Sequence, residues 1–348
     1  MSKYDRALPT NSMGTAALVG LLVTIALVGA WEMHWRELGN ESGYRNSDGL
    51  WVMERRRIDQ GEGHKTVFVG SSRTQFDLQL DVWERESGER PIQLAMVGTS
   101  PIRAMESLAD DPDFTGQLIV GVAPDLFFSG IEFYGGGFDR YENESPTEWI
   151  GQRISMLVEP HLAFYDIDYA LIPVLRRLRL PPRQGVFDPF EVRKLDIMDK
   201  DRNIRMWSKV ENDPDYQKNA QSIWAQYTPT EVHDQEQFEM QLASYASQID
   251  RAVAATEKLR ARGVEVIFLR CPSSEHYRES ERLNFPRDIA WDVLIDKTGA
   301  LGIHFEDHEE LQGYEIAEWS HLTASEADRF TEAVYHVIER AKISMGSE

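Results

Sequence analysis

Two short segments near opposite ends of the chain carry side chains able to do acyl chemistry. The first is Gly70-Ser71-Ser72-Arg73, directly after the apolar run Thr66–Val69. A serine at a strand-to-helix turn exposes its hydroxyl, and its own N–H points to where an oxyanion would form. Both Ser71 and Ser72 fit that description. The second segment is Glu318-Trp319-Ser320-His321. An acid and a histidine three apart on one turn can face each other. The acid then fixes the imidazole tautomer and leaves the other nitrogen for a serine. Glu315 is a second acid within reach of His321.

Several other residues compete for a functional role. Gly98-Thr99-Ser100 and Gly121-Val122-Ala123-Pro124 follow two more apolar runs, and Arg270-Cys271-Pro272 follows a fourth. Arg270 suits an anionic or sugar substrate, or a structural ion pair. Cys271 reads as a packed thiol, since no environment that would lower its pKa is legible. His304, Glu306, Asp307 and His308 have metal-ligating side chains, but the spacing suits a helix and a strand is predicted there, so no metal is expected. Arg176, Arg177, Arg179 and Arg183 alternate with leucines and read as a solvated helix face or a headgroup contact. Trp149, Trp207 and Trp224 would offer stacking surfaces if the middle of the chain bound carbohydrate.

The elements that must position these residues follow from the pattern of apolar runs. Strands are predicted at Thr66–Val69, Ile92–Val97, Leu118–Val122, Val264–Leu269 and Ile303–Phe305. The runs are continuous rather than alternating, as strands covered on both faces should be. Helices are predicted at Leu50–Gln60, Pro101–Asp110, Phe238–Arg262, Arg287–Thr298 and Ala324–Ile343, the last with Thr323 as N-cap and Glu326 three residues on. Strand–helix alternation implies a mostly parallel sheet with helices on both faces, and ligands in such sheets bind beyond the carboxyl ends of the strands. Residues 130–236 break the alternation and read as a mostly helical insertion, either a cap over the site or a membrane-proximal element.

The chain has 348 residues and a formal net charge of −21, with 42% hydrophobic and 27% charged residues. Such acidity excludes a general nucleic-acid binder and broad electrostatic adhesion to anionic lipid. A single cysteine excludes a disulfide framework and cysteine-cluster metal sites. Met13–Trp31 is an unbroken apolar run; as a helix it would reach ~28 Å at ~1.5 Å per residue, near the thickness of a bilayer core. Lys3 and Arg6 before it give a positive flank, so the N-terminus (residues 1–12) is expected in the cytoplasm, 13–31 in the membrane, 32–63 as a stalk and 64–348 as an extracytoplasmic, periplasmic domain. A cleaved signal peptide ending at Val28-Gly29-Ala30 is the rival, although the run is longer than an ordinary signal core.

From Thr66 to Val337, leaving out the insertion, the sequence resembles the SGNH/GDSL hydrolase-like superfamily. The nearest subgroup is the membrane-anchored one similar to extracytoplasmic proteins of cell-wall and exopolysaccharide O-acylation. The resemblance implies a three-layer α/β/α sandwich of flavodoxin-like type. It maps the nucleophile to Ser72, oxyanion donors to the N–H groups of Ser72 and Gly98, and the Asp-x-x-His block to Glu318 and His321, with glutamate replacing aspartate. Where the family places an asparagine oxyanion donor, this chain has Ala123; Arg73 or Ser100 would have to substitute, and Arg73, Ser100 and Arg270 are the expected substrate contacts. The implied activity is serine esterase or O-acyltransferase chemistry on a surface or exported polysaccharide. It needs no cofactor, and a membrane-embedded acyltransferase is the expected partner. The alternative is a catalytically weak scaffold subunit of such a complex.

Overall fold

Each of the five apolar runs does form a strand, and the five pair side by side in parallel. The computed structural model describes residues 12–177, 194–230 and 235–345. Along the chain α1 spans Met13–Glu37, α2 Asp48–Arg57, β1 Val67–Val69, α3 Ser72–Asp77, α4 Leu80–Ser87, β2 Ile92–Gln93, α5 Ile102–Ala109 and β3 Gln117–Gly121. Then come α6 Pro124–Phe127, α7 Gly136–Asn143, α8 Pro146–Val158, α9 Leu171–Arg177, β4 Asp196–Met198, β5 Ile204–Met206, α10 Ser208–Asn212 and α11 Pro214–Trp224. The last set is α12 Gln235–Ala261, β6 Glu265–Arg270, α13 Glu275–Asn284, α14 Trp291–Thr298, β7 Leu301–His304 and α15 Ala324–Met345.

The parallel sheet has the order β2-β1-β3-β6-β7. Successive strand side chains point to opposite faces, so each strand contributes to two apolar clusters. Val67, Val69, Leu118, Val120 and Phe268 pack with Met105 of α5, Ile249 of α12 and Leu294 of α14. Phe68, Ile119, Ile267, Leu269 and Ile303 pack with Trp83 of α4 and with Phe330, Val334 and Val337 of α15. The run predicted as Ile92–Val97 leaves the regular ladder after Gln93. Its amides still follow β1, since Leu94 N–H donates to the Phe68 carbonyl at 2.8 Å and Met96 N–H to Gly70 at 2.9 Å.

Two expectations need correction. Residues 32–63 are not a free stalk, because Trp51 of α2 is buried in the first cluster and its indole N–H donates to the Leu94 carbonyl at 3.0 Å. Its arginines are paired, Arg55 with Asp111 at 2.6 Å and Arg57 with Glu54 at 2.6 Å. Among its described residues the insertion is mostly helical and also carries an antiparallel hairpin of β4 and β5. Buried Arg202 pins that hairpin to the β2 edge, donating to the carbonyls of Gln93 and Ala95, each at 2.9 Å. Thr323 does not cap α15 with its hydroxyl, which finds no partner. The first amide of α15, on Ala324, is taken instead by the Glu211 carboxylate of α10 at 2.6 Å.

α1 is one candidate membrane-spanning helix, with mean hydropathy 2.2 and no buried residue in its apolar window. The expected basic flank at residues 1–11 and the arginines 179 and 183 lie outside the described residues.

Candidate active site

Two glycines let α3 descend onto the sheet. A Cβ on Gly70 would stand 1.9 Å from Thr74 Oγ1, and one on Gly121 1.7 Å from the same atom. With only hydrogens there, the first turn of α3 sits directly on the ends of β1 and β3. Ser72 is the first residue of that helix. Its neighbours Ser71 and Arg73 are each 2% exposed, whereas Ser72 is only half-buried. The solvent-facing hydroxyl of the pair is therefore that of Ser72.

The second segment folds as a tight loop closed by an antiparallel bridge between Ile316 and Leu322. Inside it Glu318, fully buried, accepts the backbone N–H of His321 at 2.8 Å and its Nδ1–H at 2.6 Å on the same Oε1. One carboxylate oxygen thus shapes the turn and orients the ring. Because a carboxylate only accepts, Nδ1 carries the hydrogen, and Nε2 presents its lone pair to the Ser72 hydroxyl 2.9 Å away. Glu315 contributes only its backbone carbonyl, which accepts the Thr323 N–H. Trp319 holds a left-handed φ of 76°, unusual for a bulky residue, at the centre of this loop.

Three residues complete the support. The indole N–H of Trp224, at the end of α11, donates to Glu318 Oε2. Phe76 stacks on the imidazole with ring centres 4.3 Å apart. Asp77, at the end of α3, accepts the Leu322 N–H at 3.1 Å and so ties the histidine loop to the serine helix. Burial pushes the Asp77 carboxyl up to about 8, against the pull of the Leu322 amide and of Arg73, with nearby Glu318 adding to the rise. Trp224 and Glu318 are 94 positions apart, and no local spacing in the sequence announces their meeting. Phe76 was findable, since it lies one helical turn after Ser72.

The remaining candidates have other partners. Gly98 has a left-handed φ of 59°, and its carbonyl accepts the Phe133 N–H. It lies two residues beyond Met96, as Ser72 lies two beyond Gly70, so the two turns leave neighbouring strand ends. Ser100 is buried, with its hydroxyl 3.5 Å from the Ile102 amide at the start of α5. Ala123 precedes α6 and offers no side-chain donor. Arg73 and Arg270 are both buried. Both guanidiniums clasp Glu281, at 2.8 Å and 2.5 Å, and Arg73 also reaches the Ser320 carbonyl at 3.2 Å. The two arginines and the Glu281 carboxylate of α13 form a buried ionic clasp, the structural ion pair that is one of the two readings of Arg270.

Cys271 is buried beside Asp77 and its thiol is pushed up by desolvation. Burial, with the nearby Arg270 and Arg287 charges, lowers His304 to about 3, so its ring is neutral, and Nδ1 accepts the Glu306 amide. Glu306 pairs with Arg278 and Arg282, and Asp307 with Arg287. Among the described residues no group of three or more His, Cys, Asp or Glu is arranged to hold a metal ion. A cavity of about 200 Å³ opens between Arg270, Arg287, Trp291 and His304, and Ser72 is not on its wall. Compared with known proteins, the chain matches no family model and no curated protein.

Proposed function

We propose that this protein is a serine esterase or O-acyltransferase of SGNH/GDSL type, built as a three-layer α/β/α sandwich, anchored in the membrane by α1, and acting on acyl esters of a surface or exported polysaccharide. The observation that carries the chemistry is the chain of contacts Glu318 Oε1–His321 Nδ1 and His321 Nε2–Ser72 Oγ. Ser72 Oγ attacks the acyl carbonyl while Nε2 takes its proton. The imidazolium, held by Glu318, then gives that proton to the departing alcohol. A sugar hydroxyl or water enters, loses its proton to Nε2, and attacks the acyl-serine carbonyl, and the proton returns to Ser72 as the ester breaks. The N–H groups of Ser72 and Gly98 are the oxyanion donors in this reading. The choice of polysaccharide as acceptor, and of a periplasmic setting with a membrane-embedded acyltransferase as partner, rests on the family resemblance alone.

A second reading is supported by one residue. Ala123 supplies no third oxyanion donor, and Arg73 is committed to Glu281. Losing one such donor costs ~10²–10³ in rate, which favours a weak enzyme or a scaffold subunit. A fluorophosphonate probe separates the two. Labelling of the full chain that disappears in Ser72→Ala supports the enzyme, and labelling that persists in Ser72→Ala ends this site assignment. Ala123→Asn sharpens the result: the enzyme reading expects ester hydrolysis to rise by up to ~10²-fold as the donor is restored.

A further inference from the structure

The end of the apolar helix is not free to swivel. Trp31 closes the apolar run, and Glu32 is its first charged residue. The Glu32 carboxylate accepts the backbone N–H groups of Ala163 and Phe164, at 3.0 and 3.1 Å. Around that contact Arg36 donates to the His161 carbonyl at 3.0 Å, Asn40 to Ala163 at 2.7 Å and Ser42 to Pro160 at 2.8 Å. Trp35 packs on Tyr169 with ring centres 4.6 Å apart. Residues 160–169 of the insertion are thereby fixed at the level where α1 turns from apolar to charged, which for a spanning helix is the membrane–water boundary.

The helices on either side of this clamp expose apolar side chains. On α8, Ile150, Ile154 and Leu157 recur at i, i+4 and i+7, one stripe of the helix, and are 50%, 58% and 74% exposed. Beyond the clamp Leu171, Ile172 and Leu175 of α9 are each 50% exposed or more. The chain places Leu157 six residues before Ala163 and Leu171 eight after it. At ~3.6 Å per residue neither can stand more than ~22 or ~29 Å from the clamp. Water-facing stripes of this kind are uncommon on a soluble surface and mark an interaction site.

We propose that α8 and α9 form a monotopic foot that buries this apolar stripe in the outer part of the same leaflet from which α1 emerges. This rests on the reading of α1 as a membrane anchor. The occupant is lipid rather than a protein because the stripe flanks the segment that α1 itself fixes at the boundary. The contact is apolar rather than electrostatic, in keeping with the net charge of −21. The same insertion carries Trp224, which holds Glu318, so the foot also fixes how the Ser72 site is presented to the membrane.

The test uses the full chain in phosphatidylcholine nanodiscs containing lipid spin-labelled high on the acyl chain. Cys271 is buried and stays unlabelled under native conditions. Leu157→Cys and Leu171→Cys, each carrying an environment-sensitive fluorophore, are compared with Leu21→Cys in α1 and with the exposed Glu309→Cys. The expected result is quenching at 157 and 171 at least threefold above that at 309, unchanged in high salt. If 21 is quenched while 157 and 171 match 309, the foot is refuted and the anchor stands; a protein partner on the stripe would give this same pattern. If 21 is also unquenched, the anchor reading fails and the foot with it.

Discussion

Residues 72 and 73 are neighbours in one short helix and end in opposite kinds of polar cluster. Ser72 meets His321 and Glu318, a cluster with one buried carboxylate, one ring and one hydroxyl left facing water. Arg73 meets Glu281 and Arg270, a cluster closed on itself with every member buried. Successive helical residues point ~100° apart, so a single step along α3 moves a side chain from the cleft to the interior. In both clusters a carboxylate is taken from water and satisfied by donors. Glu318 receives a ring N–H, a backbone N–H and an indole N–H, while Glu281 receives two guanidiniums and the Ser273 hydroxyl. The first arrangement leaves a proton acceptor, Nε2, aimed at a half-buried hydroxyl. The second leaves nothing reactive, and its contribution is to fix α13, β6 and α3 relative to one another.

That contrast breaks most sharply at the two acids. Glu318→Gln keeps the size but loses the charge and the correct tautomer of His321. If the proposed esterase activity holds, turnover per folded molecule should fall ~10⁴-fold, as replacing the corresponding acid does in other hydrolases. Glu281→Gln should do the reverse. It leaves two buried guanidiniums without their counter-charge and should cost ~3–5 kcal/mol of stability, read from denaturant unfolding, with turnover per folded molecule largely retained. If the two variants behave alike, the division into a reactive and a structural cluster is wrong.

A smaller effect is expected at Trp224→Phe, which keeps the ring and removes the donor to Glu318. A hydrogen bond to a charged group contributes ~1.5–3 kcal/mol. We expect turnover to drop about tenfold through a misplaced His321, with KM for a small ester unchanged. A change confined to KM would mean that Trp224 serves substrate rather than Glu318.

A further expected effect, on stability rather than turnover, concerns Asp77, which joins the two segments of the site. Its carboxyl is raised to about 8, chiefly by burial, from an ordinary value of 3.8 in the unfolded chain. Between those values the native state holds a proton that the unfolded state has released. The contribution is therefore complete below pH 3.8 and is lost as pH rises through about 8. Asp77→Asn has no such titration. Urea unfolding at pH 5 and pH 8.5 should show the natural protein losing stability relative to Asp77→Asn as pH rises. Parallel behaviour of the two proteins would show that Asp77 does not titrate in this range.

Much of the architecture was legible because it rests on local pattern. The five strands were readable as continuous apolar runs, since strands buried on two faces cannot alternate. The long helix α12 was readable from apolar residues at helical spacing. The β4–β5 hairpin was not, because three-residue strands carry too little periodicity to stand out and owe their place to Arg202 reaching the β2 edge. Residues 32–63 read as a stalk because the docking of Trp51 against the sheet depends on contacts with Leu94, 43 positions away.

What the sequence by itself determined is the set of reactive groups and their local geometry. A three-residue spacing within one loop suffices to join Glu318 to His321, and a strand followed by small residues suffices to expose a serine. The tertiary structure decided everything that depends on long separations. It buried Ser71 and left Ser72 half-buried, brought His321 across 249 positions to within 2.9 Å of the Ser72 hydroxyl, and joined Arg73 and Arg270 to Glu281. The physical reason is common to all three. Most buried polar groups find a partner, and which partner lies within reach is fixed by how helices pack on the sheet, which local pattern does not encode.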